Sequence, residues 1–90
     1  MPYNSKVFGL VISMERVRHG LSQEQLSGLA GISRSHLAAL ESGSKCPRLD
    51  TLWSISEALS LRPSRLLMQL EKTLESEQTQ NHNQPEKPSG

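Results

Sequence analysis

The part of the sequence that decides the fold is the stretch LSQEQLSGLAGISRSHLAALESG, residues 21–43. Ser22 followed three residues later by Gln25 is a capping-box pattern, which predicts the start of a helix. Gly31 interrupts the helical spacing of the apolar residues, and Ser33 is a good N-cap for a second helix. The stretch therefore predicts two short helices joined by a tight turn that contains a glycine.

Apolar residues recur at helical spacing on both sides of this stretch, which predicts one helix before it and two after it. The predicted helices run over about 5–19, 22–30, 33–42, 48–59 and 63–75, and Pro63 lies where the first turn of a helix accepts proline. The leucines and isoleucine expected to face the core are Leu26 and Leu29, then Leu37 and Leu40, then Leu49, Leu52, Ile55 and Leu59. No strand pattern is present, so the sequence predicts an all-α five-helix bundle.

The ends of the chain differ from this helical body. Residues 1–4 are predicted to be a loose N-terminus, and the folded domain is predicted to span residues 5–75. Residues 76–90 read SEQTQNHNQPEKPSG and contain no large apolar residue. Such a segment cannot bury enough surface to repay its ordering entropy, so we expect a disordered polar tail there.

Length and composition limit the possible functions. Ninety residues make one domain with a modest core and no room for a deep substrate pocket. The formal net charge is +1, but residues 75–90 carry three glutamates against one lysine, so the remaining body is more basic. The positive charge of this body is modest for a protein that binds nucleic acid.

Several classes of site are not expected. Cys46 is the only cysteine, so an intramolecular disulfide and a cysteine-based zinc site are excluded. The sequence has no paired carboxylates in a plausible cleft and no phosphate-binding glycine loop, so we expect neither an enzyme nor a cofactor or small-molecule ligand. With no signal pattern and no apolar run of about 20 residues, a soluble cytoplasmic protein is expected.

The spacing of the motif residues resembles the Cro and phage-repressor type of helix-turn-helix, the Xre family. The resemblance covers about residues 8–68, and its features are Leu21-Ser22-Gln23, Gly31-Ile32-Ser33, Glu41 with Gly43, and Pro47-x-Leu49. It implies a fold of the lambda-repressor-like DNA-binding type, with Phe8 and Ile12 facing inward from helix one. It also implies that the helix over about 33–42 enters the major groove of DNA. The slightly extended fifth helix is similar to that of controller proteins of restriction–modification systems.

The helical wheel of residues 33–42 agrees with a groove-reading role. Leu37 and Leu40 point to one side, while Ser35, Ala38 and Ala39 point to the opposite side. Arg34, near the start of this helix, can donate two hydrogen bonds to O6 and N7 of guanine, a contact that discriminates by about 1–3 kcal/mol. The resemblance places four residues against base edges, namely Ser33, Arg34, Ser35 and Ala39.

Phosphate contacts are expected around the same two helices. Gln23 lies in the first turn of helix two, where free N–H groups and the helix dipole favour an anion, and the family uses the matching glutamine for this purpose. The other candidates for phosphate contact are His36, Ser44 and Lys45. The resemblance also implies a partly buried ion pair between Arg16 and Glu41, which would fix the orientation of the groove-reading helix.

Helix one departs from the family pattern, because Glu15 replaces an apolar residue and a second apolar stripe is present. This stripe consists of Val7, Leu10, Val11, Met14 and Val17. Helix five could fold back over the stripe with Leu70 and Leu74, or the stripe could form a dimer interface, and the two arrangements can also combine. The dimer-interface candidates on helices one and five are Val11, Met14, Leu67, Leu70 and Leu74.

These observations predict a small regulator that binds double-stranded DNA at an operator with two half-sites, as a homodimer and as a repressor. The half-sites would be about one helical turn apart, roughly 34–36 Å. A protein-interaction module, such as an antitoxin or adaptor that uses the same fold, is the alternative. Strong, salt-sensitive affinity for duplex DNA would argue against that alternative as the sole function.

Overall fold

The computed structural model describes the backbone of residues 2–89 and the side chains of residues 2–77. Its helices, in chain order, are α1 (Ser5–Arg18), α2 (Gln23–Ala30), α3 (Arg34–Ser42), α4 (Leu49–Ala58) and α5 (Pro63–Ser89). The described backbone contains no strand, so the predicted all-α, five-helix architecture is confirmed.

The helix limits follow from the capping residues. The Ser22 hydroxyl accepts from the Gln25 backbone N–H, and the Gln25 side chain accepts in return from the Ser22 N–H, so the capping box is present. Ser33 caps α3 by accepting from the backbone N–H of His36 at 3.0 Å. Asn4, which the sequence placed in a loose N-terminus, caps α1 by accepting from the N–H groups of the two residues after Ser5.

The core is aliphatic, with one aromatic side chain, Phe8. The fully buried large apolar residues are Phe8, Ile12, Leu26, Leu37, Leu40, Ile55, Leu59 and Leu66. Two predicted core leucines are instead exposed, Leu29 at 63% and Leu49 at 69%. The buried face of α2 passes through Leu26, Ser27 and Ala30, which turns Leu29 outward, and Leu49 begins α4 at one end of the core.

The second apolar stripe of α1 is buried in part and exposed in part. Val7 and Val11 are buried, and Leu70 lies in the same core with Leu74 packed against it. Leu10, Met14 and Val17 remain 46%, 52% and 66% exposed. Two of the five stripe residues are therefore buried in the core that α5 shares, and the other three stay on the surface.

Glu15 is buried on the α1 face that meets α5, with 4% of its surface exposed. The Nε2 group of Gln69, on α5, donates to Glu15 Oε2 at 2.7 Å. Arg18 Nη1 lies 3.2 Å from the same oxygen. The carboxylate in this apolar position thus accepts one hydrogen bond from α5 and lies beside the exposed Arg18, with His19 Nδ1 3.9 Å from its other oxygen.

The crossing of α1 and α3 is a backbone contact. A Cβ atom at Gly9 would lie 2.6 Å from the Leu40 carbonyl oxygen and closer still to that of Glu41. At the end of α3, Gly43 adopts a φ of 84°, and the Ser5 hydroxyl donates to its carbonyl oxygen at 2.9 Å. α3 is therefore held along its inner side by α1.

The fifth helix is longer than predicted, because its backbone continues to Ser89 instead of ending near residue 75. Residues 71–84 contain neither proline nor glycine and include several good helix formers, which is compatible with continued helix. The predicted disordered tail, residues 76–90, lies almost entirely outside the residues whose side chains are described. Its disorder remains a prediction.

Candidate nucleic-acid interface

The first turn of α3 presents its polar side chains to solvent. Ser33, Arg34 and Ser35 are exposed, while Leu37 and Leu40 on the opposite side are fully buried. The backbone N–H groups at the start of a helix have no intrahelical partner, and Ser33 satisfies only that of the fourth residue, His36. This end of α3 therefore offers a cationic guanidinium, two hydroxyls and free amide donors.

The side chains in the middle of α3 are small and do not project from the helix. Ala38 and Ala39 are half-buried, so neither extends beyond the helix surface. The Ala39 carbonyl oxygen instead anchors the following loop, accepting from the Ser44 N–H at 3.0 Å and from the Lys45 N–H at 3.3 Å. Small side chains here permit close approach of another surface, and Ala39 offers only a methyl group for contact.

Arg16 and Glu41 join α1 to α3 in a two-point ion pair. Arg16 Nε donates to Glu41 Oε2 at 2.7 Å, and Nη2 donates to Oε1 at 3.0 Å. A third bond runs from Arg16 Nη1 to the Leu21 carbonyl oxygen at 2.9 Å, just before α2. The hydrogen bonds to Glu41 raise the pKa of Arg16 although partial burial opposes the shift, so this guanidinium stays cationic.

Gln23 is part of the same network. Its Nε2 group donates to Glu41 Oε1 at 2.9 Å, which ties the first turn of α2 to α3. A glutamine amide has two N–H donors, so one donor of Gln23 remains for another acceptor. The Gln23 side chain, predicted to contact phosphate, is thus held by α3.

The remaining phosphate candidates differ in what they can donate. The Ser44 hydroxyl donates to the Ala39 carbonyl oxygen at 3.2 Å and its backbone N–H is also bonded there, so a phosphate, which only accepts, would have to displace a bond. Lys45 is exposed, and His36 is half-buried on α3. Among these three residues, Lys45 is the strongest candidate for an anion.

The residues proposed for dimer contact do not share one surface. Val11 and Leu70 are buried in the core of the chain, so neither is available to a partner. Leu74 is half-buried, while Met14 and Leu67 are exposed in separate places, Met14 beside Val17 and Leu67 beside α4. The helix-one and helix-five candidates therefore correspond to two distinct faces.

Sequence reasoning anticipated the ion pair between α1 and α3 but missed the close backbone contacts between these two helices. Gly9 and Gly43 allow the backbones to approach, and the Ser5 hydroxyl bridges them. The available signal was a glycine within an otherwise strong helical segment, because an interior glycine costs helix stability unless close packing requires it.

This arrangement, with two short helices joined at a glycine turn and a third held across them, defines a helix-turn-helix domain. A family of helix-turn-helix proteins matches residues 12–66, more than half of the chain. The protein belongs to this family, the Xre/Cro type that its motif resembles.

Known relatives agree with this assignment. The chain is 29% identical over 68 residues to the HTH-type transcriptional regulator y4dJ of Sinorhizobium fredii, a match covering 76% of this chain and 88% of that protein. The restriction–modification controller protein C.AhdI of Aeromonas hydrophila is similar at 33% identity with a TM-score of 0.66, over 68% of this chain and 92% of the controller.

The gene regulator ClgR of Corynebacterium glutamicum shares the fold, with a TM-score of 0.85 at 20% identity over 93% of this chain and 89% of that chain. The family is one of DNA-binding transcription regulators. Within the described part of the chain, no helix is both long enough and apolar enough to cross a membrane.

Proposed function

We propose that this protein is a repressor that binds, as a homodimer, an operator with two half-sites, reading each half-site with α3. Binding there would exclude RNA polymerase from an overlapping promoter. The half-sites would lie about one turn of DNA apart, roughly 34–36 Å between centres.

The observation that carries the proposal is the first turn of α3. Ser33, Arg34 and Ser35 are exposed together at a helix end, and small residues continue this side of α3: the half-buried Ala38 and Ala39 and the exposed Ser42. An α-helix fits the major groove, and a guanidinium there can donate two hydrogen bonds to one guanine. We therefore assign base contact to Ser33, Arg34 and Ser35, with Ala39 placed to touch a thymine methyl group.

The hydrogen bonds to Glu41 support this role, because they hold α3 in a fixed orientation in the chain without DNA. Arg16 and Gln23 both donate to Glu41, so α1, α2 and α3 are linked through one carboxylate. Gln23 and Lys45 would then hold phosphates on either side of α3, with His36 as a further contact. Phosphate contacts fix the register of the helix, and base contacts supply the sequence preference.

The test is selection from a pool of random duplexes, followed by sequencing, with the wild-type protein and an Arg34→Ala variant at the same salt concentration. The wild type should enrich a two-fold-related motif, and the variant should lose preference at one position in each half-site. Arg65→Ala is the matched control, because Arg65 is also an exposed arginine but lies on α5; its motif should be unchanged.

The opposite result would favour the alternative of a protein-interaction module. If the wild type enriches no motif at low and at moderate salt, the operator-binding proposal fails. The exposed part of the α1 stripe, Leu10, Met14 and Val17, would then be the first surface to examine for a protein partner.

A further inference from the structure

Three apolar side chains of α1 form an exposed patch on the side of the helix that faces away from the core. Leu10, Met14 and Val17 are each at least 46% exposed. Their spacing of four and then three residues places them on one face of the helix, with the half-buried Ser13 between them. These four residues are called the α1 patch below.

The α1 patch is larger than a single scattered apolar residue would give. Its three apolar side chains together expose roughly 300 Å², a size that on small monomers often marks an interaction site. A shallow hollow within it is lined by Ser13, Met14 and Val17, with Arg18 at the edge. The patch therefore has both projecting side chains and a recess that can receive an apolar side chain of a partner.

The neighbouring helices contact other faces of α1. Gly9 and Arg16 meet α3, and Glu15 accepts a hydrogen bond from Gln69 of α5. With about 100° between successive residues of a helix, the α1 patch lies on the side that neither α3 nor α5 covers. A partner that binds there would not need to displace either helix.

The charges at the two ends of the α1 patch are both positive. Lys6 is exposed one turn before Leu10, and Arg18 is exposed directly after Val17. The only carboxylate of α1, that of Glu15, is buried. Arg18 lies 3.2 Å from Glu15, but its side chain is 63% exposed and a guanidinium has five N–H donors, so it can also donate to a second carboxylate.

This pattern of charge disfavours two possible occupants. If α1 of a second copy packed on the patch, cations of one copy would lie near cations of the other in both the parallel and the antiparallel arrangement, with no exposed acid on α1 to offset them. Segments that bind anionic membranes carry clusters of about four to eight cations, whereas the exposed cations of α1 are Lys6 and Arg18. A partner with acids at both ends of an apolar segment fits the patch better.

We propose that the α1 patch binds an amphipathic helix of another protein, one with a short apolar stripe and acidic side chains at both ends of it. Apolar anchors at positions i, i+4 and i+7 match the spacing of the patch. Lys6 and Arg18 lie about 18 Å apart along α1, so the acids of the partner helix should be separated by about three turns. This partner is additional to the proposed binding of DNA and does not depend on it.

The complex should be weak, because the two surfaces would bury only about 600 Å² together. Its strength should also fall as salt is added, since the ion pairs at the ends are exposed. These properties are those of a transient contact with a regulatory partner, in which the charges select the partner and the apolar stripe holds it.

The first experiment titrates the full chain into fluorescein-labelled helical peptides and follows the anisotropy. The acidic peptide has leucines at i, i+4 and i+7 and a glutamate about three turns apart at each end; the basic peptide has lysines in place of both glutamates. The acidic peptide should bind at least about 10-fold more tightly, because two exposed attractive pairs become two repulsive ones. Equal affinities, or no binding of either peptide, would overturn the proposal.

A charge in the middle of the α1 patch should prevent the contact. Met14→Glu should weaken binding of the acidic peptide by at least about 10-fold, because it places a carboxylate among the apolar anchors. The matched control is Leu29→Glu, since Leu29 is also an exposed apolar residue but lies on α2; it should bind like the wild type. Circular dichroism checks that both variants are folded, and an equal loss in the two would contradict a site on α1.

A charge swap tests the pairing at Lys6. Lys6→Glu should fold, because an acid in the first turn of a helix is favourable. It should weaken binding of the acidic peptide by about 3- to 10-fold. Two further peptides carry lysine at one end only, and one of them should regain the lost affinity for the variant and so give the orientation of the bound helix. If neither does, the proposed pairing is wrong.

The remaining measurements separate this inference from the other occupants and from the proposed function. Sedimentation with vesicles of equal parts phosphatidylglycerol and phosphatidylcholine, or sedimentation equilibrium of the protein alone, would overturn the proposal if binding or self-association occurs and Met14→Glu abolishes it. A wild type that binds the acidic peptide but selects no duplex would refute the DNA-binding function alone. One that selects an operator but binds no peptide would refute the docking site alone.

Discussion

At the scale of single residues, Gly9 has the most demanding environment. The carbonyl oxygens of Leu40 and Glu41 occupy the space that a side chain at this position would need. Gly9→Ala should therefore push α1 away from α3 and lower the free energy of unfolding by about 1–3 kcal/mol, as over-packing of cores does. Urea denaturation monitored by circular dichroism measures this change.

Gly28 is the matched control for Gly9. It lies inside α2 and is exposed, and no other group lies within 4 Å of where its Cβ would be. Gly28→Ala should raise the free energy of unfolding by about 0.5–1 kcal/mol, because alanine loses less backbone entropy in a helix than glycine does. Equal effects at the two positions would contradict the assigned close contact at Gly9.

Single side chains also explain why the two leucine predictions were wrong. Leu29 and Leu49 were assigned to the core from apolar spacing alone. In α2 the small residues Ser27 and Ala30 occupy the buried face together with Leu26. Apolar spacing favours burial of a leucine over a serine, so it could not predict that Ser27 is buried and Leu29 exposed. Leu49 has the right spacing, but no neighbouring helix covers the start of α4.

At the scale of helices, α5 is joined to α1 by a polar contact within an apolar interface. Gln69→Leu would remove the 2.7 Å hydrogen bond, and the nearest charged group left at the buried Glu15 carboxylate would be the exposed Arg18. The other group near the carboxylate, His19 Nδ1, lies 3.9 Å from Glu15 Oε1 and does not replace the lost hydrogen bond. This change should lower the free energy of unfolding by about 1–3 kcal/mol. Thermal and urea unfolding of the same samples measure it.

The double variant Glu15→Leu/Gln69→Leu is the control for that prediction. Replacing both partners by leucine removes the unpaired carboxylate and adds apolar contact, so the double variant should be at least as stable as the wild type. If the double variant loses as much stability as both single changes added together, the contact is not a pairwise interaction between these residues.

The helices illustrate what the sequence could and could not predict. The five helices, the N-caps of α2 and α3 and the contact of Arg16 with Glu41 could be anticipated, since they depend on local spacing and on a strongly characteristic motif. The pairing of Glu15 with Gln69 could not, because these residues are 54 positions apart and no motif links them. The division of the α1 stripe also required the position of α5.

At the scale of the whole molecule, three helices meet around one carboxylate, that of Glu41. α1 packs against α3 at Gly9 and donates to Glu41 through Arg16, and α2 donates to the same carboxylate through Gln23. The first turn of α3, which carries the residues proposed for base contact, is therefore on a helix that two other helices hold in place.

The distribution of charge gives the last prediction, because the net charge of +1 is too small to attract DNA by itself. Salt dependence should then come from a few local contacts. Lys45→Ala should weaken operator binding uniformly across sequences and reduce the slope of log K against log salt by about 1 for each chain, hence about 2 for a dimer. Lys72→Ala removes the same charge from α5 and should leave the slope unchanged. Fluorescence anisotropy with a labelled operator, from about 50 to 200 mM salt, measures both slopes. An equal reduction in the two variants would show that overall charge, and not a phosphate contact at Lys45, controls the attraction.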